Sequence, residues 1–539
     1  MNRIAWKDYG LLLSVCLVIT GCSLKKYETV DGKKVPLEKL RRVEPLVLEP
    51  EPSPPMEVND VKATAAPEKM ELTLEQCRSL ALENNLHLRT RLVDPALAAE
   101  QLNRERAKFE ATFTSDIVYN NFDSPTTSTV KNDQGQVFLG NIGLTKPTES
   151  GGQVSVGFGD NRSKTNSTQS VLNPFYETGL TFSVTQPLLR NAGLQANTHS
   201  LRIASYGRQI TDAQTKAQVI ATIRSMDGIY WLLYAYRQEL EVRKQQYALA
   251  EAQLEQTRRL VDMGERAQVE LIRSEAGLAD RREAIIIAGN SVRIQERLLK
   301  KFINHEALHM DGPTRIIPAS EPQPLYYNLD PNVLMAQGIA NRMDMLEIEL
   351  RLAQDTSAIQ YYRNRSLPDV GVTYTYDMGG VGATNESALE MLAHRDFIDH
   401  RFRLGLGIPL GNKAARSQLR EAIYTRGQRL TSKENQEALI RLEVLDAIDN
   451  VEAAWLRIIA SQENAQLQGR LAQAEQRQFE VGARTATEVL DAQAKLADAQ
   501  SSEIRALADY QRALIDLAYY TGTLLGAANV DWEPVIPGQ

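Results

Sequence analysis

The chain repeats itself, and each copy contains a proline-free stretch too long for a helix in an ordinary globular domain. The segment from Ala81, "ALENNLHLRTRLVDPALAAEQLNRERAKFEATFTSDIVY", resembles without a gap the segment from Gly338, "GIANRMDMLEIELRLAQDTSAIQYYRNRSLPDVGVTYTY". Later, "VDMGERAQVELIRSEAGLADRRE" from Val261 parallels "FEVGARTATEVLDAQAKLADAQS" from Phe479. Both copies run helix, strand region, very long helix, glycine break, helix. Residues from about 198 to 260 and from about 412 to 480 contain no proline. At 1.5 Å per residue each predicts a helix ~90–100 Å long. The neighbouring helices, over roughly 73–110 and 267–304, are near ~57 Å each, so two short ones placed end to end flank one long one. Rods of this length expose an apolar stripe that needs lateral partners.

The side chains carry that stripe. Leu507, Tyr510, Leu514 and Leu517 recur at three- and four-residue steps, and Val489 and Leu496 lie a heptad apart. Alanines beside the seam, among them Ala492, Ala497, Ala499 and Ala506, let helices approach on more than one face, as a tube wall requires. A conventional two-stranded coiled coil is the alternative on this pattern alone.

The strand regions alternate with period two. Phe113, Ser115, Ile117 and Tyr119 interleave with Thr114, Asp116, Val118 and Asn120, and Leu180, Phe182 and Val184 with Thr181, Ser183 and Thr185. In the second copy Val370, Val372, Tyr374 and Tyr376 oppose Gly371, Thr373, Thr375 and Asp377, and Phe402, Leu404, Leu406 and Ile408 repeat the theme. Such strands suit a transmembrane β-barrel with apolar side chains outward, although each alone also suits a half-buried strand of a soluble sheet. Too few strands are present to close a barrel from one chain, so closure requires several copies in a ring.

The N-terminus fits that setting. Arg3 and Lys7 precede an apolar run, "LLLSVCLVIT", that ends in Ile19-Thr20-Gly21-Cys22. This pattern resembles a bacterial lipoprotein signal, with cleavage after residue 21 and lipidation of Cys22. Residues 22–70, punctuated by proline in "VEPLVLEPEPSPPMEV", read as a lipidated tether. Repeat 1 then covers 71–311, a connector 312–330, repeat 2 331–527, and a tail 528–539. No apolar run elsewhere reaches the roughly 18–20 residues of a spanning helix. The net charge of −7, with bases scattered, gives no nucleic-acid footprint.

This layout resembles the TolC-like outer-membrane efflux proteins over roughly residues 71–527. The resemblance rests on the duplicated order, on "TQPLLRNAG" at 185–193 and "GIPLGNKAA" at 407–415, and on "VGARTATEVLDAQ" at 481–493. It implies a mainly α fold with membrane β: antiparallel coiled-coil helices forming a periplasmic α-barrel, and strands shared in a homotrimeric transmembrane barrel. It implies passive export through a tunnel gated at its periplasmic tip. A periplasmic adaptor and an inner-membrane transporter engage that tip; no cofactor is implied. The family pattern gives four strands per chain. The intervening "VFLGNIGLTKPTESGGQVSVGFG" reads as one more hairpin, so six strands and an eighteen-stranded trimer stand as the other possibility.

Gly264 and Gly482 sit where each long helix reverses, since glycine accepts the left-handed backbone that ends a helix. By resemblance these turns meet the adaptor. Glu488 and Asp491, three apart on one helical face, match the family's acidic pore constriction. Arg484 and Glu270 match its gate network, whereas Phe479 stands where a tyrosine hydroxyl can serve.

One motif points elsewhere. "HEALH" places His305, Glu306 and His309 at the spacing of a zinc peptidase, but Arg315 occupies the position of the extended motif's third histidine. The motif is expected to be a plain helix end. A zinc-dependent periplasmic peptidase and a lipoprotein spacer without a pore are the two alternative functions. No Walker loop, dinucleotide fingerprint or nucleophile elbow appears, so no catalytic function is expected.

Overall fold

The computed structural model describes residues 69–125, 133–166 and 170–530. The signal segment, Cys22 and most of the tether and tail lie outside the described residues.

Strand β1 (Lys69–Leu72) leads into helices α1 (Leu74–Asn84), α2 (Leu86–Arg91) and α3 (Asp94–Arg106). Strands β2 (Thr112–Asp123), β3 (Gln134–Pro147), β4 (Gln153–Thr165) and β5 (Phe175–Pro187) follow, then the long α4 (His199–Asp262) and α5 (Gln268–Ile303). After β6 (Arg315–Pro318) the pattern recurs: α6 (Pro331–Asn341), α7 (Met343–Arg365), β7 (Asp369–Gly382), the short α8 (Asn385–His394), β8 (Phe397–Gly407), α9 (Lys413–Glu480) and α10 (Ala486–Tyr520). The two long helices hold 64 and 68 residues, or ~96 and ~102 Å.

The stretch expected as one helix over 73–110 is broken. Asn85 leaves helical geometry, and its side chain accepts from the Leu88 amide at 3.0 Å, starting α2 afresh. Pro95, in the first turn of α3, then lacks the amide that would continue the previous helix. The second repeat breaks at the equivalent place, Arg342, between α6 and α7.

Six strands form one antiparallel sheet in the order β2-β3-β4-β5-β7-β8. The hairpin β3–β4 is thus an integral part of the sheet, paired with β2 and β5 along nearly its whole length. The register sorts the side chains cleanly. Leu144, Val156, Phe182 and Tyr376 lie in one cross-strand row, and Ile142, Phe158, Leu180 and Met378 in the next. The opposite face carries Thr181 Oγ1 donating to Asp377 Oδ1 at 2.6 Å and Asn141 Nδ2 donating to Asp116 Oδ2 at 3.0 Å. One face is therefore fit for lipid and the other for water. Strands β2 and β8 close neither edge, and their side chains are exposed almost throughout.

In the helical part α4 packs against α3, α5, α7 and α10, and α9 against α7 and α10. Short helices α7 and α10 thus share the flank of the long ones, as the end-to-end arrangement anticipates. Among the described residues no helix is long and apolar enough to cross a membrane. The apolar core is continuous under β1, β6, α1, α4 and α5, where Met226, Tyr230, Leu233, Leu299 and Ile303 are fully buried.

One ion pair is enclosed in that core. Arg78 binds both carboxylate oxygens of the fully buried Asp227, at 2.8 and 2.7 Å. Burial pushes the Asp227 carboxyl up, and the Arg78 guanidinium opposes it. Neighbouring Cys77 is also buried, and burial with the Asp227 charge pushes its thiol up to about 12. Removing one partner of such a pair leaves an uncompensated charge, so Arg78→Ala is expected to cost about 3–5 kcal/mol. Thermal unfolding of the detergent-solubilised protein measures this, and adding Asp227→Asn to the variant should recover part of the loss. Cys77 should resist thiol reagents in the native protein and react once it is unfolded; rapid native labelling would contradict its burial.

Candidate functional site

The two helical hairpins end in matching turns. After α4, the Gly264 amide donates to Val261 O at 2.9 Å and the Glu265 amide to Leu260 O at 2.9 Å; Gly264 has φ +77°. After α9, the Gly482 amide donates to Phe479 O and the Ala483 amide to Gln478 O, both at 2.9 Å, and Gly482 has φ +80°. Each is a Schellman closure, which satisfies the last carbonyls of its rod and needs the left-handed conformation that glycine adopts without penalty. Both predicted turn glycines stand in this geometry.

The return helices start with a glutamate in the same position of their first turns, and the two are used differently. Glu488 Oε2 accepts from the Thr485 amide at 2.9 Å and from Thr485 Oγ1 at 3.1 Å, forming a capping box for α10. The Thr485 amide, with Arg484 in support, holds the Glu488 carboxyl below its ordinary pKa. Glu270 at the start of α5 instead reaches the other hairpin, where Oε2 accepts from the Ala486 amide at 3.2 Å. One repeat's acid thus caps the other repeat's helix.

The expected pairing of Arg484 with Glu270 is replaced by other partners. Arg484 Nη1 donates to Glu488 Oε1 at 2.7 Å, and its Nε lies 3.1 Å from Glu475 Oε2. Glu270 Oε1 accepts from Arg273 Nη1 at 2.9 Å. The physical reason is reach. An acid three residues beyond its own cap lies beside Arg484, whereas Glu270 already faces the bare amide of Ala486.

A second link between the repeats is made by Arg266, which the sequence pattern alone did not single out. Arg266 donates to Phe479 O at 3.1 Å and to Arg484 O at 3.4 Å, and its guanidinium carbon lies 4.9 Å from the centre of the Phe479 ring. Phe479 is buried, in a small core with Ala486 and Val489. The ring that cannot hydrogen-bond is thus held through its π face, and its own carbonyl takes the hydrogen bond. The signal was available, because Arg266 follows Gly264 by two residues as Arg484 follows Gly482.

Glu488 and Asp491 keep the spacing that puts them on one face of α10; Asp491 is exposed and Glu488 half-buried. Asp491 pairs with Lys495 at 2.8 Å, one turn on, so the tip's acidic field is partly offset within the chain.

The "HEALH" segment holds no helix. α5 ends at Ile303, Asn304 turns left-handed at φ +50°, and His305 Nδ1 faces the Ala307 amide at 3.1 Å. Without helical register His305 and His309 lose the shared face that metal binding needs. Leu308 is buried in the core beside them. Among the described residues no group of three or more metal-ligating side chains gathers.

Comparison with known proteins agrees with this architecture. Residues 334–523 match the family model described as outer membrane efflux protein. No curated protein matched the chain by sequence. Among solved structures, CusC is 15% identical, covering 83% of this chain and 92% of its own, with a TM-score of 0.62. A membrane protein from Pseudomonas aeruginosa is 16% identical, covering 83% and 90%, at 0.63. The CmeC outer membrane channel of Campylobacter jejuni is 12% identical, covering 84% and 86%, at 0.61. At these identities the structures establish the fold, and the family model independently matches the second repeat. Residues 334–523 thus resemble the outer membrane efflux proteins, and the chain shares the fold of these solved outer-membrane channels.

Proposed function

We propose that this protein is the outer-membrane exit duct of a tripartite efflux or secretion system, a passive tunnel formed by three copies. The observation that carries the reading is that a single chain ends in two unfinished edges. In the sheet these are β2 and β8. In the helical layer they are α5 and α9, where apolar side chains remain exposed. Ile272 and Ile286 on α5 lie two heptads apart, as do Leu442 and Leu456 on α9. Unpaired backbone is not tolerated in lipid, and a heterologous contact between unlike edges builds a closed ring. Three copies of a six-stranded sheet give an eighteen-stranded barrel. Lipidation at Cys22 holds the duct to the outer membrane, and the helices extend into the periplasm. A periplasmic adaptor and an inner-membrane transporter engage the turns at Gly264 and Gly482.

In this reading Glu488 and Asp491 line the constriction at the tip, where a three-fold axis repeats each carboxylate. Such a ring captures cations and repels anions. Arg266 and Glu270 are the residues that hold the closed tip. Opening separates the hairpins and breaks their cross-repeat hydrogen bonds, with energy supplied by the partners.

Planar-bilayer conductance of the purified oligomer tests the duct, and absence of current would favour a spacer. Replacing both Glu488 and Asp491 with alanine should weaken block by multivalent cations; unchanged block would remove these residues from the constriction. Arg266→Ala removes a cation–π contact and two hydrogen bonds, about 1–3 kcal/mol per tip, and should raise the open fraction of the channel. Because the Glu488 carboxyl is held below its ordinary pKa, its contribution to the α10 cap is complete above the usual glutamate range. That contribution is lost as pH falls through the depressed value. Acid should therefore fray the start of α10 in the wild type more than in Glu488→Gln, read from amide hydrogen exchange over residues 486–489 as pH is lowered.

A further inference from the structure

A cavity of about 710 Å³ opens on the side of the helical layer, far from the tip turns, between α4, α5 and the segment that leads into β6. Its lining is strongly basic. Helix α4 contributes Arg237 and Lys244, and α5 contributes Arg293, Arg297 and Lys300. Arg315 and Lys69 come from β6 and β1. Against these seven cations stand three acids, Glu241, Glu296 and Asp311.

The acids do not satisfy the bases. Glu296 is shared between Arg237, at 3.3 Å, and the Ile316 amide. Glu241 is held by Lys244 at 2.7 Å. Among the described residues Arg293, Arg297 and Arg315 form no ion pair. Arg237 Nε is buried without a partner, and Lys300, only 4% exposed, donates its ammonium to Gly312 O at 2.9 Å. Burial holds the Arg237 guanidinium below its ordinary pKa; Glu296 opposes this and the nearby Arg315 reinforces it. An unpaired buried donor and crowded like charges both favour a bound anion.

The remaining lining narrows the ligand class. Leu240, Ile285, Val292 and Ile317 add apolar surface among the charges. A single phosphate leaves most of such a volume empty, since cavities of this size hold ligands of many heavy atoms. Lipid headgroups are too distant, because Tyr234 lies 35 residues along α4 from its sheet-side end at His199, ~52 Å at helical rise. We propose that this cavity binds a short acidic peptide segment of a partner protein, with clustered carboxylates on the basic rim and aliphatic stems on the isoleucines. The periplasmic setting of that partner rests on the channel reading above; the binding itself does not.

The test is calorimetric titration of the purified, detergent-solubilised protein with tri-glutamate at low ionic strength. Saturable binding is expected, weakening as salt rises. Arg293 and Arg297 are exposed, so replacing both with alanine leaves the core intact and should weaken binding at least about tenfold, two charge-assisted hydrogen bonds being lost. Retained conductance by that variant separates a failed cavity from a failed channel. Absence of saturable binding, unchanged affinity in the double variant, or tighter binding of inorganic phosphate than of the peptide would each overturn the proposal.

Discussion

The structure depends on the unpaired edge. A six-stranded sheet with one lipid-suited face cannot end at β2 and β8 inside a bilayer, because no water is there to take the free amides and carbonyls. The helices below meet the same constraint in a softer form. Exposed heptad-spaced residues on α5 and α9 cost solvent-facing apolar area, not bare hydrogen-bonding groups. Both deficits lie on the same two flanks of the chain. One rotation that joins β2 to a neighbour's β8 can therefore also bring α5 toward the neighbour's α9. The symmetric closure proposed above would answer both at once.

At the tip the duplication is used asymmetrically, and that is where a gate can act. Two identical hairpins would cap themselves identically. Here the second turn is self-sufficient, with Glu488 capping α10 through Thr485. The first turn has alanine at the cap, Ala267, which offers no side-chain acceptor. Its acid and its arginine are consequently free to cross to the second hairpin, Glu270 to the Ala486 amide and Arg266 to Phe479 and the Arg484 carbonyl. A threonine-to-alanine difference at one cap thus turns a local motif into a contact between repeats. Such a contact consists of a few hydrogen bonds and one cation–π contact, so it is small beside the helix packing that surrounds it.

Much of this was legible in the sequence, for reasons that can be stated residue by residue. The long helices follow from the absence of proline and the glycines that stop them, and the strand faces follow from alternation that the register reproduces row by row. The break at Asn85 was hidden because asparagine mid-helix is tolerated; only the capping hydrogen bond to Leu88 reveals the interruption. Arg266 was visible as the counterpart of Arg484, but a family template directed attention to one copy of the repeat. The arginine–glutamate pairing was misassigned because spacing fixes which residues share a face and leaves their partners open. The basic cavity had no sequence signal at all: its cations come from four separate elements that only the fold assembles.

The extra hairpin shows how the duplication tolerates growth. Thr112 and Asp369 open the first strand of each copy, 257 residues apart, whereas Pro187 and Pro409, where strand returns to helix, lie 222 apart. The first copy has gained about one hairpin between these points, matching β3 and β4. In an antiparallel sheet an inserted pair of strands leaves the direction of every neighbour unchanged, so β5 still descends toward α4 as β8 descends toward α9. A single added strand would reverse one of these and send a long helix to the wrong side. The inserted hairpin also keeps the period-two division, with Ile142, Leu144, Val156 and Phe158 on the apolar face. A change in strand number is therefore compatible with an unchanged helical layer only in steps of two. In the proposed ring the cost of widening falls at the junction, where the circumference of the closed sheet grows while the number of rods beneath it stays fixed.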